Sequence, residues 1–130
     1  MCLIIDQLEP KVADKDIVCY KMVTKSRIKG VYISEYRRFK YITEKLYTNN
    51  IDIKNSEALL HTIYRKDTSL TGIYSISGFM FHSYQSPYKY SLRADTLVKC
   101  IIPKGAYYFE GGHNGLRGYA SSQIKILEEI

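Results

Sequence analysis

The sequence predicts a single α+β domain, with a mostly antiparallel β-sheet of five to seven strands and one or two short helices. Short apolar or alternating runs, which are typical of strands, recur along most of the chain. One stretch has the apolar spacing of a helix, and strand and helix patterns do not alternate regularly, which disfavours a doubly wound parallel sheet. A length of 130 residues fits one globular domain over residues 1–130.

The strand pattern starts with the short apolar run Met1–Ile5 and is clearest at Asp16–Thr24. Apolar residues occur on both faces of this second stretch, which predicts a central strand. Lys21 shares a face with Cys19 and Val23. Its amine therefore either reaches the rim of the sheet or binds an anion at the mouth of a cleft.

The predicted helix covers Asn55–Lys66. Asn55 or Ser56 can cap its start, and the last turn carries cations, as the helix dipole favours. The apolar stripe consists of Leu59, Leu60, Ile63 and Tyr64. A second, single helical turn is expected at Ser91–Thr96.

Strand-type residues surround a glycine in Gly72–Tyr84, and Leu97–Ile102 reads as a strand buried on both faces. The tripeptide Pro103–Gly105 has the residues of a type I turn followed by a left-handed glycine. This turn predicts a hairpin between Leu97–Ile102 and Ala106–Glu110. Gln123–Ile130 is the last predicted strand.

Composition indicates the charge of a ligand more clearly than its identity. The chain has 13 tyrosines, no tryptophan and a formal net charge of +6. Tyrosine suits both half-buried strands and stacking surfaces, and the positive charge favours either simple solubility or anionic partners.

Three cysteines without a C-x-x-C motif indicate neither a disulfide framework nor a zinc site. With no signal peptide and no apolar run near 20 residues, a cytoplasmic protein with no membrane partner is expected.

The segment Gly111–Gly118 is predicted to be a glycine-rich loop. Its backbone amides, together with His113 and Arg117, would cradle phosphate oxygens, and the alternative is a flexible hairpin loop. The order G-G-x-x-G-x-x-G matches neither the dinucleotide fingerprint nor the Walker loop.

No arrangement of residues in the sequence defines a catalytic or metal site. His82 and Ser83 are adjacent, so on a strand they point to opposite faces and cannot act as a nucleophile and its base. His82 is either a structural residue or a proton donor near neutral pH. No cofactor and no metal are expected, and whether the protein is an enzyme stays uncertain, with the balance against it.

Three segments carry a resemblance. The sequences CYK at 19–21, GFMFHSY at 78–84, and CIIPKGAYYFEG at 100–111 with GYASSQIKIL at 118–127 resemble small uncharacterised proteins of gut bacteria and their phages. Their order is also similar to the ADP-ribosyltransferase-like fold. Lys21 stands at the early basic position, Ser83 in the middle motif and Ile102–Gly105 in the turn. Tyr119–Ser122 stands where the family has its catalytic glutamate, so the resemblance implies a nucleotide-shaped pocket without its catalyst.

The leading hypothesis is a non-enzymatic protein that binds an anionic, nucleotide-type ligand. One version is a phage anti-defence protein that sequesters a signalling nucleotide in the host cytoplasm. The predicted ligand-binding residues are Tyr20, Lys21, His82, Ser83, Tyr84, Lys104, His113, Arg117 and Tyr119. The alternatives are an ADP-ribosyltransferase-like enzyme using His82 or Glu110, and a virion or host-protein-inhibiting interaction protein. Nucleic acid is a less favoured partner, and a homo-oligomer stays open.

Overall fold

A computed structural model describes residues 2–6, 9–34, 38–49, 63–67, 73–77, 81–89, 94–113 and 115–130. This part of the chain is all-β and contains no helix, so the predicted α+β class is wrong. Thirteen strands replace the five to seven expected. They are β1 Cys2–Ile5, β2 Lys11–Val12, β3 Ile17–Lys25, β4 Val31–Ser34, β5 Lys40–Ile42, β6 Leu46–Thr48, β7 Ile63–Asp67, β8 Ile73–Ser77, β9 Phe81–Tyr84, β10 Thr96–Ile102, β11 Tyr107–His113, β12 Leu116–Ser121 and β13 Gln123–Glu129.

All thirteen strands belong to one antiparallel sheet, which branches at β3. The main path has the order β6-β13-β10-β3-β9-β12-β11-β1-β8-β7, while β4 pairs with β3 and β5, and β2 pairs with β11. One edge of β3 pairs with β10 over seven residues. Its other edge is shared, because β4 pairs with Val23–Lys25 and β9 meets β3 at Tyr20. The nine-residue length of β3 allows it to serve both neighbours.

Both faces of the sheet around β3 bury apolar side chains. We call the face that carries Cys19, Val23 and Cys100 the inner face; all three are fully buried and belong to the main core. The outer face carries Met22 and Leu97, which lie opposite each other and are 6% and 5% exposed. Each such aliphatic side chain stabilises the fold by about 1.5–3 kcal/mol on burial. The sheet therefore has the two-faced burial that the sequence of β3 predicted.

An aromatic cluster packs against the main core. It consists of Phe39, Tyr41, Tyr47 and Phe81, whose ring centroids lie 4.9–6.2 Å apart in edge-to-face contacts. Such pairs contribute about 0.5–1.5 kcal/mol beyond the area they bury. Tyr41 lies in the centre of the packing and is only 3% exposed. Because Tyr41 belongs to β5, Tyr47 to β6 and Phe81 to β9, the cluster joins the β4–β5 branch to β6 and β9.

The predicted helix Asn55–Lys66 is not found where the chain is described. Residues 55–62 lie outside the described residues, and the last four belong to β7, which pairs with β8 from Ile63 opposite Ile76. Ile and Tyr favour a pleated strand, so pairing with β8 outweighs the local helical spacing. The second helical turn is wrong at Thr96, which begins β10; residues 91–93 lie outside the described part.

The C-terminal third departs from the prediction in its pairing rather than in its strands. A turn is found at Pro103–Gly105 as predicted, but its type differs. The Ala106 amide donates to the Pro103 carbonyl at 3.0 Å, which puts Gly105, with a φ of 90°, at the third turn position, as in a type II and not a type I turn. The predicted hairpin is wrong, because β10 pairs with β3 and β13 whereas β11 pairs with β12, β1 and β2. The turn is a corner between distant parts of the sheet. Within the described residues, no helix is long and apolar enough to cross a membrane.

Candidate functional site

A row of side chains crosses the outer face where β10, β3, β9 and β12 lie side by side. Lys99 is opposite Tyr20, Tyr20 is opposite Tyr84, and Tyr84 is opposite Gly118. Directly opposed residues in antiparallel strands share a face, with Cβ atoms about 4.5–5.5 Å apart. The Tyr88 ring packs edge-on against Tyr84, with centroids 6.3 Å apart. We call Tyr20, Tyr84 and Tyr88 the tyrosine shelf.

The tyrosine shelf is half-buried at its centre and exposed at its end. Tyr20 and Tyr84 are partly exposed, and Tyr88 is 37% exposed. At Gly118, a Cβ would lie 2.6 Å from the Ser83 carbonyl oxygen and 3.6 Å from Leu3 Cδ1. Only glycine therefore allows β9 and β12 to approach this closely, and Leu3 bounds the shelf on that side.

Charged residues lie next to the tyrosine shelf in the sheet register and in the sequence. Lys99 is partly exposed and lies in register between Tyr20 and Glu128 of β13. The pairing of β10 with β13 is irregular between Lys99 and Cys100, and such bulges commonly re-aim a side chain. Lys89 is exposed and follows Tyr88 in the chain. The shelf thus combines aromatic rings with two ammonium groups and one carboxylate.

Of the nine residues predicted from the sequence, only Tyr20 and Tyr84 lie in the tyrosine shelf. His82 shares the outer face with Tyr84 and lies two residues before it on β9, opposite the fully buried Ala120. It therefore stands at the buried side of the shelf. Its place supports a structural role more than a ligand contact.

Lys21, Ser83 and Tyr119 point to the inner face, away from the tyrosine shelf. The Lys21 ammonium donates to the His82 carbonyl and lies 5.7 Å from the centroid of the Tyr41 ring. Ser83 is 3% exposed. Tyr119 packs edge-on against Tyr108, and burial raises the pKa of its phenol. These three residues are close to one another but serve the core.

The predicted glycine-rich loop is instead a hairpin of β11 and β12, in which Gly111 is opposite Gly118 and Gly112 is opposite Arg117. Its backbone amides belong to a strand ladder, not to a phosphate cradle. Arg117 forms an ion pair with Asp6, which lowers the pKa of that carboxyl and raises the pKa of the guanidinium. The charge of Arg117 is thus matched within the protein.

Lys104 and His113 lie away from the tyrosine shelf. Lys104 is exposed in the corner turn, where its amide donates to Asp16 Oδ1 at 2.9 Å. Lys104 follows the end of the β3–β10 pair, where Ile102 is opposite Ile17. Two residue pairs lie between that end and the pair formed by Lys99 and Tyr20. His113 ends β11 opposite Leu116, and its side chain is outside the described set.

Sequence reasoning missed Lys99 and Tyr88. A signal for Lys99 was present, because LVKCII places one lysine inside an apolar strand, as at Lys21. The two lysines face opposite sides, however, since Lys99 is opposite Tyr20 and not opposite Lys21. Tyr88 lies in the segment after β9, where no periodic pattern gives a direction.

Comparisons with known proteins add no relative: no family, no curated protein and no solved structure matches the chain. Where side chains are described, no group of three or more histidine, cysteine, aspartate or glutamate residues could hold a metal ion. The tyrosine shelf and the charged residues next to it are therefore the features from which a function can be inferred.

Proposed function

We propose that the protein binds an anionic, nucleotide-type ligand on the tyrosine shelf. The observation that carries this proposal is the register: Tyr20 and Tyr84 are directly opposed, Tyr88 packs on Tyr84, and Lys99 adjoins Tyr20. A planar base stacks on aromatic side chains of this kind with about 1–3 kcal/mol per base. An ammonium beside the ring supplies the charge-assisted hydrogen bond that a phosphate accepts.

The charges around the tyrosine shelf suggest how such a ligand lies. Lys99 is opposite Tyr20, and the exposed Lys89 follows Tyr88 in the chain, so each can offer an ammonium to phosphate oxygens. Glu128 is opposite Lys99 and accepts hydrogen bonds only, which suits the exocyclic amino group of a base. The formal net charge of +6 attracts anions to the protein as a whole.

The test is a thermal-shift and calorimetric titration with ADP-ribose and with 3′,5′-cyclic nucleotides. We expect Lys99→Ala and Tyr20→Leu each to weaken binding about tenfold, which corresponds to one lost charged hydrogen bond or one lost stacking contact. Lys40→Ala is the matched control, because Lys40 is an exposed lysine of β5, outside the row. No thermal shift with any probe, or equal losses for Lys99→Ala and Lys40→Ala, would contradict the proposal.

A second candidate is an ADP-ribosyltransferase-like activity that would use Glu110, a partly exposed carboxylate held by two polar side chains. Gln85 Nε2 donates to one carboxylate oxygen at 2.6 Å, and Lys11 Nζ lies 3.1 Å from the other. Glu110 is opposite Tyr119, so it points to the inner face whereas His82 points to the outer face. The two residues named for catalysis therefore cannot act on one substrate together. Incubation with labelled NAD, with Glu110→Gln as the control, tests this; no release of nicotinamide and no labelled protein would exclude it.

A further inference from the structure

Two cysteines face each other in the middle of the β3–β10 pair. Cys19 is directly opposite Cys100, both are fully buried, and both belong to the main core of the inner face. Both thiols are free. Opposed residues in an antiparallel pair have Cα atoms about 4.5 or 5.5 Å apart, which lies within the range that a disulfide spans. The register therefore places the two cysteines at a backbone separation that a disulfide can span.

The two thiols also differ in their surroundings. The Cys100 thiol donates to the Val98 carbonyl at 3.9 Å. The neighbouring Cys100 side chain and the positive charge of Lys21 lower the pKa of Cys19. Burial raises the pKa of Cys100. The positive charge of Lys21 favours the thiolate form of both cysteines.

Lys21 gives the pair a polar approach from the surface. It lies two residues from Cys19 on the same face of β3 and is itself partly exposed. Buried Ser83 adds a hydroxyl on the neighbouring strand β9. Because both thiols are fully buried, the oxidant has to be as small as hydrogen peroxide.

We infer that Cys19 and Cys100 are an oxidation site, at which a peroxide converts the thiol pair into a reversible cross-strand disulfide. The Cys19 thiolate attacks one peroxide oxygen, the O–O bond breaks, and the hydroxide that leaves takes up the Cys19 proton as water. The sulfur of Cys100 then attacks the resulting sulfenic acid, the S–O bond breaks, and the hydroxide leaves as water with the Cys100 proton. Two thiols and one peroxide thus give one disulfide and two waters.

The sheet order makes this pairing selective. Cys2 is in β1, and β9, β12 and β11 lie between β1 and β3. At about 4.8 Å per strand, Cys2 is roughly 19 Å from Cys19 across the sheet. The bond would also form next to the rung of Tyr20 and Lys99, and so would fix the two strands that carry one side of the tyrosine shelf. The inference does not depend on a ligand.

Mass spectrometry of the intact wild-type protein before and after mild peroxide treatment tests the site. We expect the loss of two hydrogen atoms, one cross-linked peptide pair containing Cys19 and Cys100, and full reversal by dithiothreitol. Closing a loop of this length should also raise the melting temperature by about 10 °C. Cys2→Ala should leave all three results unchanged, whereas Cys100→Ala should leave Cys19 unable to form the bond.

Three outcomes would overturn the inference. One is oxidation of the methionines of the same protein without the loss of two hydrogen atoms at the cysteines. Another is the addition of oxygen to Cys19 without a cross-link, and the last is a cross-link that involves Cys2. Because all three are read on wild-type protein without nucleotide, they stay distinct from a failure of the proposed function.

Discussion

Gly118 offers a sharp test of how closely β9 and β12 are packed beneath the tyrosine shelf. A Cβ at this position would lie 2.6 Å from the Ser83 carbonyl oxygen, closer than real Cβ contacts. The obstacle is backbone, so Gly118→Ala requires β9 to move away from β12. Overpacking of this kind costs about 1–3 kcal/mol. In a domain of this size that is a fall in melting temperature of roughly 4–12 °C.

Gly112 is the matched control for this substitution. It lies in the adjacent strand β11, and a Cβ there would meet the Leu116 carbonyl at 3.7 Å and the Arg117 side chain at 3.8 Å, which are ordinary contacts. Neither glycine has a positive φ, so backbone strain does not separate them. Because alanine loses less chain entropy than glycine on folding, Gly112→Ala should be neutral or stabilising by about 0.5 kcal/mol.

The assay is thermal and urea unfolding of both variants, with hydrogen exchange of the β9 amides as a local readout. We expect Gly118→Ala alone to lower stability and to speed exchange at Ser83 and Tyr84. If the two alanines had equal effects on the melting temperature, the close approach of β9 and β12 would be refuted. A loss of stability without faster exchange in β9 would show that the chain yields elsewhere.

Three further substitutions test the electrostatics. Arg117→Ala removes an ion pair with Asp6 whose side chains are 48% and 45% exposed, so it should cost less than about 1 kcal/mol and leave ligand-induced stabilisation intact in calorimetry. The Thr96 hydroxyl donates a hydrogen bond to Asp95 and lowers the pKa of that carboxyl from 3.8. The ionised Asp95 therefore stabilises the fold above pH 3.8, and this contribution is lost as the pH falls. Asp95→Asn should flatten the acid side of a plot of melting temperature against pH. Burial raises the pKa of Tyr41 far above 10.0, so near pH 10 the Tyr41 phenol ionises only in the unfolded chain. The free energy of unfolding therefore declines as the pH rises further, and Tyr41→Phe should reduce that decline.

The strands that the sequence predicts correctly are those whose burial is local and continuous. Asp16–Thr24, Leu97–Ile102 and Gln123–Ile130 correspond to β3, β10 and β13. In the sheet, β10 lies between β3 and β13 and pairs with both, and the three strands contribute to the main core. The misassigned stretch around Ile63–Tyr64 has four apolar residues at spacing that suits a helix. Its pairing with β8 is a property of the tertiary structure, which no local pattern contains.

The candidate site was predictable in its residue types but not in its geometry. Alternation correctly places Tyr20 and Lys21 on opposite faces, yet it cannot say that Tyr84 is opposite Tyr20. That depends on β9 meeting β3 at one position, a register set by long-range packing. The glycine-rich segment misled because most of its glycines lie in strands. Gly118 is needed for the close approach of β9 and β12, whereas Gly115, with a φ of 79°, lies in the turn between β11 and β12.

The strand order has a consequence for biosynthesis. One edge of β3 pairs with β10, so residues 17–23 wait for residues 96–102 before that edge is paired. β1 likewise lies between β8 and β11, and the latter begins at Tyr107. A ribosome at roughly 5–20 residues per second leaves this edge of β3 unpaired for several seconds after its synthesis. Pairing between segments so distant in sequence also slows folding. The nascent chain is therefore most vulnerable to aggregation before β10 emerges, and a chain that stops before Thr96 should be captured by chaperones.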